Sequence, residues 1–169
     1  MEYKDFIEYA NNLDVLIVDN DLRFATQTEE LLKMFFRDVV CIVNGQDALR
    51  TYKNFYLDSD RYFDIVITEL SLAEINGEEL VQELKLLNRD QNIVVVSKEI
   101  ESQKLITLIK YGIDYVLTKP IDSNELQECL YKVSKGIYQR SHNITKIEDH
   151  NKDQTNLAFL HDDDEMIEY

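Results

Sequence analysis

The chain has 169 residues, 44% of them hydrophobic, enough for one domain with a proper core plus an extra segment. Its formal net charge is −15, and its 18 Lys and Arg are scattered, so it should repel phosphate backbones and bind no nucleic acid directly. No apolar run reaches membrane-spanning length, and MEYKDFIEYA lacks the basic-then-apolar order of a signal peptide, so a cytoplasmic protein with no membrane contact is expected.

Residues 1–12 place Tyr3, Phe6, Ile7 and Ala10 on one stripe and predict a short amphipathic helix as an N-terminal extension. Five apolar runs follow: DVLIVD (14–19), VVCIV (39–43), FDIVITE (63–69), NIVVVS (92–97) and DYVLT (114–118). Most are apolar on successive residues, as strands are when both faces of a parallel sheet are covered. Between them lie LRFATQTEELLKMFF, GQDALRTYKNFY, GEELVQELKLLN and SQKLITLIKYG, with apolar residues at helical spacing. A last helix is expected over residues 123–139, behind the N-cap candidates Asp122 and Ser123.

This alternation predicts an α/β domain over residues 13–140, a doubly wound five-stranded parallel sheet with right-handed crossovers and helices on both faces. Residues 141–169 are left as an acidic tail or linker. They carry eight acidic and two basic side chains, the run HDDDE and one apolar cluster, NLAFL. Cys41 and Cys129 lie far apart in apolar patterns and read as buried free thiols. His142, His150 and His161 all fall in the tail. They could join Asp162–Asp164 in loose metal binding, but a solvated surface is the expectation.

In open α/β sheets, function gathers at the carboxyl ends of the strands. Here those ends carry Asp19-Asn20-Asp21, Glu69, Ser97 and Thr118-Lys119-Pro120. Loop solubility explains one or two polar residues there. It does not explain carboxylates, a hydroxyl and an ammonium on one edge.

Residues 14–136 resemble the receiver domain of two-component response regulators. The resemblance rests on LIVDND, ITELSLAEING, VVVS and YGIDYVLTKP, and on the 22-residue step from Ser97 to Lys119. It implies the flavodoxin-like strand order 2-1-3-4-5 and a signalling module rather than an enzyme. In that family an acidic pair after strand 1 helps hold Mg²⁺, and an aspartate ending strand 3 accepts a phosphoryl group from a histidine kinase. A Ser or Thr and a lysine then bind the phosphoryl oxygens. By position, Glu69 stands at the phosphoacceptor, Ser97 and Lys119 at the phosphoryl-binding positions, and Asp19, Asn20 and Glu69 at the metal.

The departures from the family are informative. Glu69 replaces the acceptor aspartate, Asn20 the second acid and Ala73 a proline. Val116 occupies the aromatic switch position, with Tyr115 expected on the opposite face. Asp21 supplies an acid one step late and reads as an N-cap. Glutamate is longer than aspartate by about 1.5 Å, and a misplacement near ~1 Å can cost roughly 10²-fold in rate. The longer arm would instead offer its own carboxylate to Ser97 and Lys119, while two acids in place of three should hold Mg²⁺ weakly.

The expectation is therefore a phosphorylation-independent protein-interaction module, meeting a histidine kinase or downstream effector through residues 101–139 and leaving room for a homodimer. The alternative is a conventional receiver that takes a phosphoryl group with Mg²⁺. A nucleotide or flavin binder on this fold is disfavoured, because none of Gly45, Gly77, Gly112 and Gly136 follows strand 1 to cradle a phosphate.

Overall fold

A computed structural model describes residues 3–159, with side chains for residues 4–143. The elements are α1 (Tyr3–Ala10), β1 (Asp14–Val18), α2 (Leu22–Leu32), β2 (Asp38–Ile42), α3 (Gly45–Ser59) and β3 (Ile65–Glu69). They continue with α4 (Gly77–Leu87), β4 (Asn92–Ser97), α5 (Ser102–Tyr111), β5 (Tyr115–Thr118) and α6 (Ser123–Phe159). The five strands form one parallel sheet in the order β2-β1-β3-β4-β5, the order the resemblance implied.

Alternation along each strand divides the core. Val15 and Ile17 of β1 join Leu32 of α2, Phe6 of α1 and Leu130 of α6 on one face. Leu16 and Val18 point the other way, among Leu49 of α3, Leu80 of α4 and Leu108 of α5. Both sheet faces are covered, which is why β1 and β3 are buried at every position.

Helix starts follow local chemistry. Asp21 caps α2 by accepting from Arg23 N and Phe24 N. Asn76 and Glu79 form a capping box at α4, and Asp122 accepts from Asn124 N and Glu125 N before α6. Gly77 is required where it stands: a Cβ there would lie 2.2 Å from the Glu69 carbonyl oxygen, so α4 starts directly against the end of β3.

Several expectations change. The last helix does not end near residue 139 but continues to Phe159, so most of the segment expected as a tail begins as an extension of α6. The run HDDDE and Leu160 lie outside the described residues, as do the side chains of His150 and His161. The N-terminal helix forms, but it is built into the core rather than appended to it. Phe6 is fully buried and stacks on Phe35 at 4.3 Å between ring centroids, with Phe36 and Tyr131 at its edges. Ile7, expected on the buried stripe, is exposed, and Tyr9 packs on Tyr131 and Tyr138 instead. Both cysteines are free. Cys129 is buried and Cys41 partly so, and burial pushes both thiols up to about 12.

Candidate functional site

The register sets the strand ends side by side. Glu69 pairs with Val96 and Ser97 with Thr118, while Asp19 follows Val18, the partner of Thr68. Asp19, Glu69, Ser97 and Lys119 therefore meet at one edge, as expected.

Lys119 sits at the centre, its side chain only 8% exposed. Its Nζ donates to Asp19 Oδ2 at 2.6 Å, reaches Glu69 Oε2 at 3.1 Å and lies 4.4 Å from the centre of the Phe24 ring. Burial alone would lower the lysine pKa, but Asp19 and Glu69 outweigh it and hold the ammonium above its ordinary range.

Glu69 is buried and doubly held. Oε1 accepts from Leu70 N at 2.7 Å and Ser71 N at 3.2 Å, and Oε2 faces Lys119. Burial pushes its pKa up, yet the Ser97 hydroxyl, Lys119 and the two backbone N–H groups together hold it below the usual glutamate range. The Ser97 hydroxyl has a single proton, which Oγ can give to the Glu69 carboxylate or to Glu99 O at 3.2 Å, one at a time.

Asp19 is equally committed. Its Oδ1 accepts from Asp21 N at 2.8 Å, while Oδ2 belongs to Lys119. Asn20 turns aside and donates from Nδ2 to Ser71 O at 2.8 Å, tying the first strand end to the loop after Glu69. Asp21 serves the helix start, and its bonds from Phe24 N and Arg23 N keep its pKa low.

Asp19 and Glu69 offer the hard oxygens that Mg²⁺ takes, but Asp19 Oδ2 and Glu69 Oε2 already face the Lys119 ammonium, which would compete with the metal for them. Among the described residues there is no group of three His, Cys, Asp or Glu placed to hold a metal.

Val116 is half-buried in the core under α3, α4 and α5, and Tyr115 beside it is 37% exposed on the opposite face. Sequence reasoning missed three features of this edge. Phe24 provides the ring under Lys119, Asn20 ties to Ser71, and Lys98 stands on the rim of a cleft of about 420 Å³ shared with Glu69, Ser71 and Lys119. The position of Phe24, one turn into the helix that Asp21 caps, was the available signal.

Residues 15–131 match the family described as the response regulator receiver domain. The chain belongs to that family. The transcriptional regulatory protein ZraR of Salmonella typhimurium is 30% identical over 121 residues, covering 71% of this chain and 26% of that protein. The chain thus spans about a quarter of the length of such relatives. Chemotaxis protein CheY of Thermotoga maritima is 28% identical over 130 residues, covering 72% of this chain and 97% of that one. Among solved structures, a CheY-like receiver domain protein from Methanospirillum hungatei superposes with a TM-score of 0.70 at 18% identity, covering 77% of this chain and 99% of that chain. The protein is accordingly a two-component receiver domain.

Proposed function

We propose that this receiver signals through protein contacts without accepting a phosphoryl group. The observation that carries the reading is the double contact of Lys119 with Asp19 Oδ2 and Glu69 Oε2. A conventional acceptor needs a carboxylate oxygen free for in-line attack, a lysine free for the phosphoryl oxygens and a metal to neutralise charge. Here the carboxylate is held by two N–H groups, the lysine already has two anions and the metal ligands are engaged. Glu69 takes over the anion's role, so the site stays in one charge state.

Residues 101–139 supply the contact surface in this reading. Ile106, Ile109 and Tyr115 are exposed there, apolar side chains on an otherwise acidic molecule. The partner class is a histidine kinase or a downstream effector protein. Residues 13–140 together with α1 form the receiver unit, and residues 141–169 form its acidic continuation.

Incubation with a small-molecule phosphodonor and Mg²⁺ tests the reading by intact-mass spectrometry. The expected result is an unmodified chain. Stoichiometric addition of one phosphoryl group would overturn it in favour of the conventional receiver. The Glu69→Asp, Asn20→Asp double variant should gain acceptance. If it folds and stays inert, the lesion lies outside these two positions, with Ala73 next in line.

A further inference from the structure

The end of the sheet opposite Glu69 carries a second polar cleft, of about 640 Å³, where α4 and α5 terminate and α6 passes. Four cations line it on a chain of net charge −15: Lys85, Arg89, Lys110 and Arg140. Helix dipoles account for Lys85 and Lys110, which stand in the last turns of α4 and α5. Lys85 is also consumed locally, donating to Gln91 O at 2.7 Å. Arg140 lends one N–H to Asn92 Oδ1 at 2.8 Å and keeps its other donors. Arg89, in the turn after α4, and Lys110, in the last turn of α5, are both exposed. Two acids share the cleft, Asp90 and Asp114, the latter accepting from Ile93 N at 2.7 Å, so the four cations outnumber the carboxylates. The cleft therefore presents an excess of positive charge with guanidinium donors, which suits carboxylates.

We propose that this cleft binds the acidic run Asp162–Glu165 of a second copy of the chain. Charge complementarity points to this run, and helix length decides which copy supplies it. From Arg140, α6 carries the chain nineteen residues to Phe159, about 28 Å at ~1.5 Å per residue. Asp162–Glu165 follow three to six residues later, at most about 22 Å of backbone at ~3.6 Å per residue, too short for the backbone to return to its own Arg140. Two α6 extensions laid antiparallel solve the problem. The far end of each then lies beside the other's Arg140, and a two-fold axis makes both contacts at once. Individually weak, salt-screened contacts gain from acting as a linked pair. This assembly is independent of whether Glu69 accepts phosphate.

Sedimentation velocity on the full chain tests the proposal. At about 20 mM salt a monomer–dimer equilibrium is expected, moving toward monomer at about 300 mM. Arg89→Glu with Lys110→Glu should weaken dimerisation roughly tenfold or more, and so should Asp162→Asn with Asp163→Asn and Asp164→Asn. An equimolar mixture of the two variants should recover heterodimer, because one good cleft then meets one good acidic run. A wild-type chain monomeric at low salt to about 100 µM, a dimer indifferent to either variant, or a mixture no more associated than its components would each overturn the proposal. Circular dichroism confirms that the variants fold. If charge reversal unfolds the protein, Arg89→Gln with Lys110→Gln takes its place with the same expected direction.

Discussion

Replacing Lys119 by methionine removes the cation that Asp19 and Glu69 both touch, and leaves two carboxylates that are 1% and 4% exposed. Breaking a buried charge group by deleting one partner costs ~3–5 kcal/mol. For a chain of this size that corresponds to a melting temperature lower by on the order of 10 °C. A Lys119→Met variant that melts at or above the wild type near neutral pH contradicts the pairing. At this scale the sequence showed which residue types collect, because strand ends and the spacing from Ser97 to Lys119 are countable. It did not show that Asp19 is the nearer partner of Lys119, since that choice depends on sub-ångström positions in three loops. Nor did it show that Ser97 would find a second acceptor in Glu99 O, because that depends on the path of the loop after β4.

Among the elements, strands and internal helices were legible because continuous apolar runs and an apolar spacing of three to four residues are both set locally. NIVVVS matches β4 from end to end. The ends of the chain were harder to read. The α1 stripe fixes a helix, but which neighbours cover it depends on Phe35 and Phe36 just past α2 and on Tyr131 in α6. The continuation of α6 past residue 139 follows from an absence of Gly and Pro between Arg140 and Phe159, a signal that an acidic composition outweighed. The packing of α1 gives a direct test. Phe6 is fully buried against three rings, so Phe6→Ala should destabilise the fold by roughly 3–5 kcal/mol. Ile7→Ala, on the exposed side, should change little. Chemical denaturation of the two variants decides. Equal, small effects would mean that α1 is an appendage after all.

Across the whole molecule, charge is distributed so that the sheet's two ends carry different balances. At the carboxyl end, carboxylates outnumber the single buried lysine among the contacting groups. At the amino end, Asp14 is 1% exposed and is gripped by Arg37 through two hydrogen bonds, at 2.8 and 2.6 Å, and by Arg61. Burial raises the Asp14 pKa, but the two guanidinium groups outweigh it and leave the carboxyl below its ordinary value. The depressed value fixes the sign of the pH effect. A carboxyl with a lower pKa folded than unfolded stabilises the fold fully above the unfolded value, ~3.9, and loses that contribution as pH falls through the lower folded value. Neighbouring Asp64 acts oppositely, because burial raises its pKa and its protonation relieves the folded state on acidification. Comparing the wild type with Asp14→Asn isolates the first effect. The variant should lose about 2 kcal/mol near neutral pH. That is less than the ~3–5 of a fully buried pair, since the guanidinium groups are 42% and 44% exposed and partly screened. Urea titrations from pH 7 to pH 3 should show that difference flat above about pH 5 and shrinking below about pH 4. A gap that persists unchanged at pH 3, or one that widens on acidification, would mean that the two arginines stabilise the amino end of the sheet by packing rather than by charge.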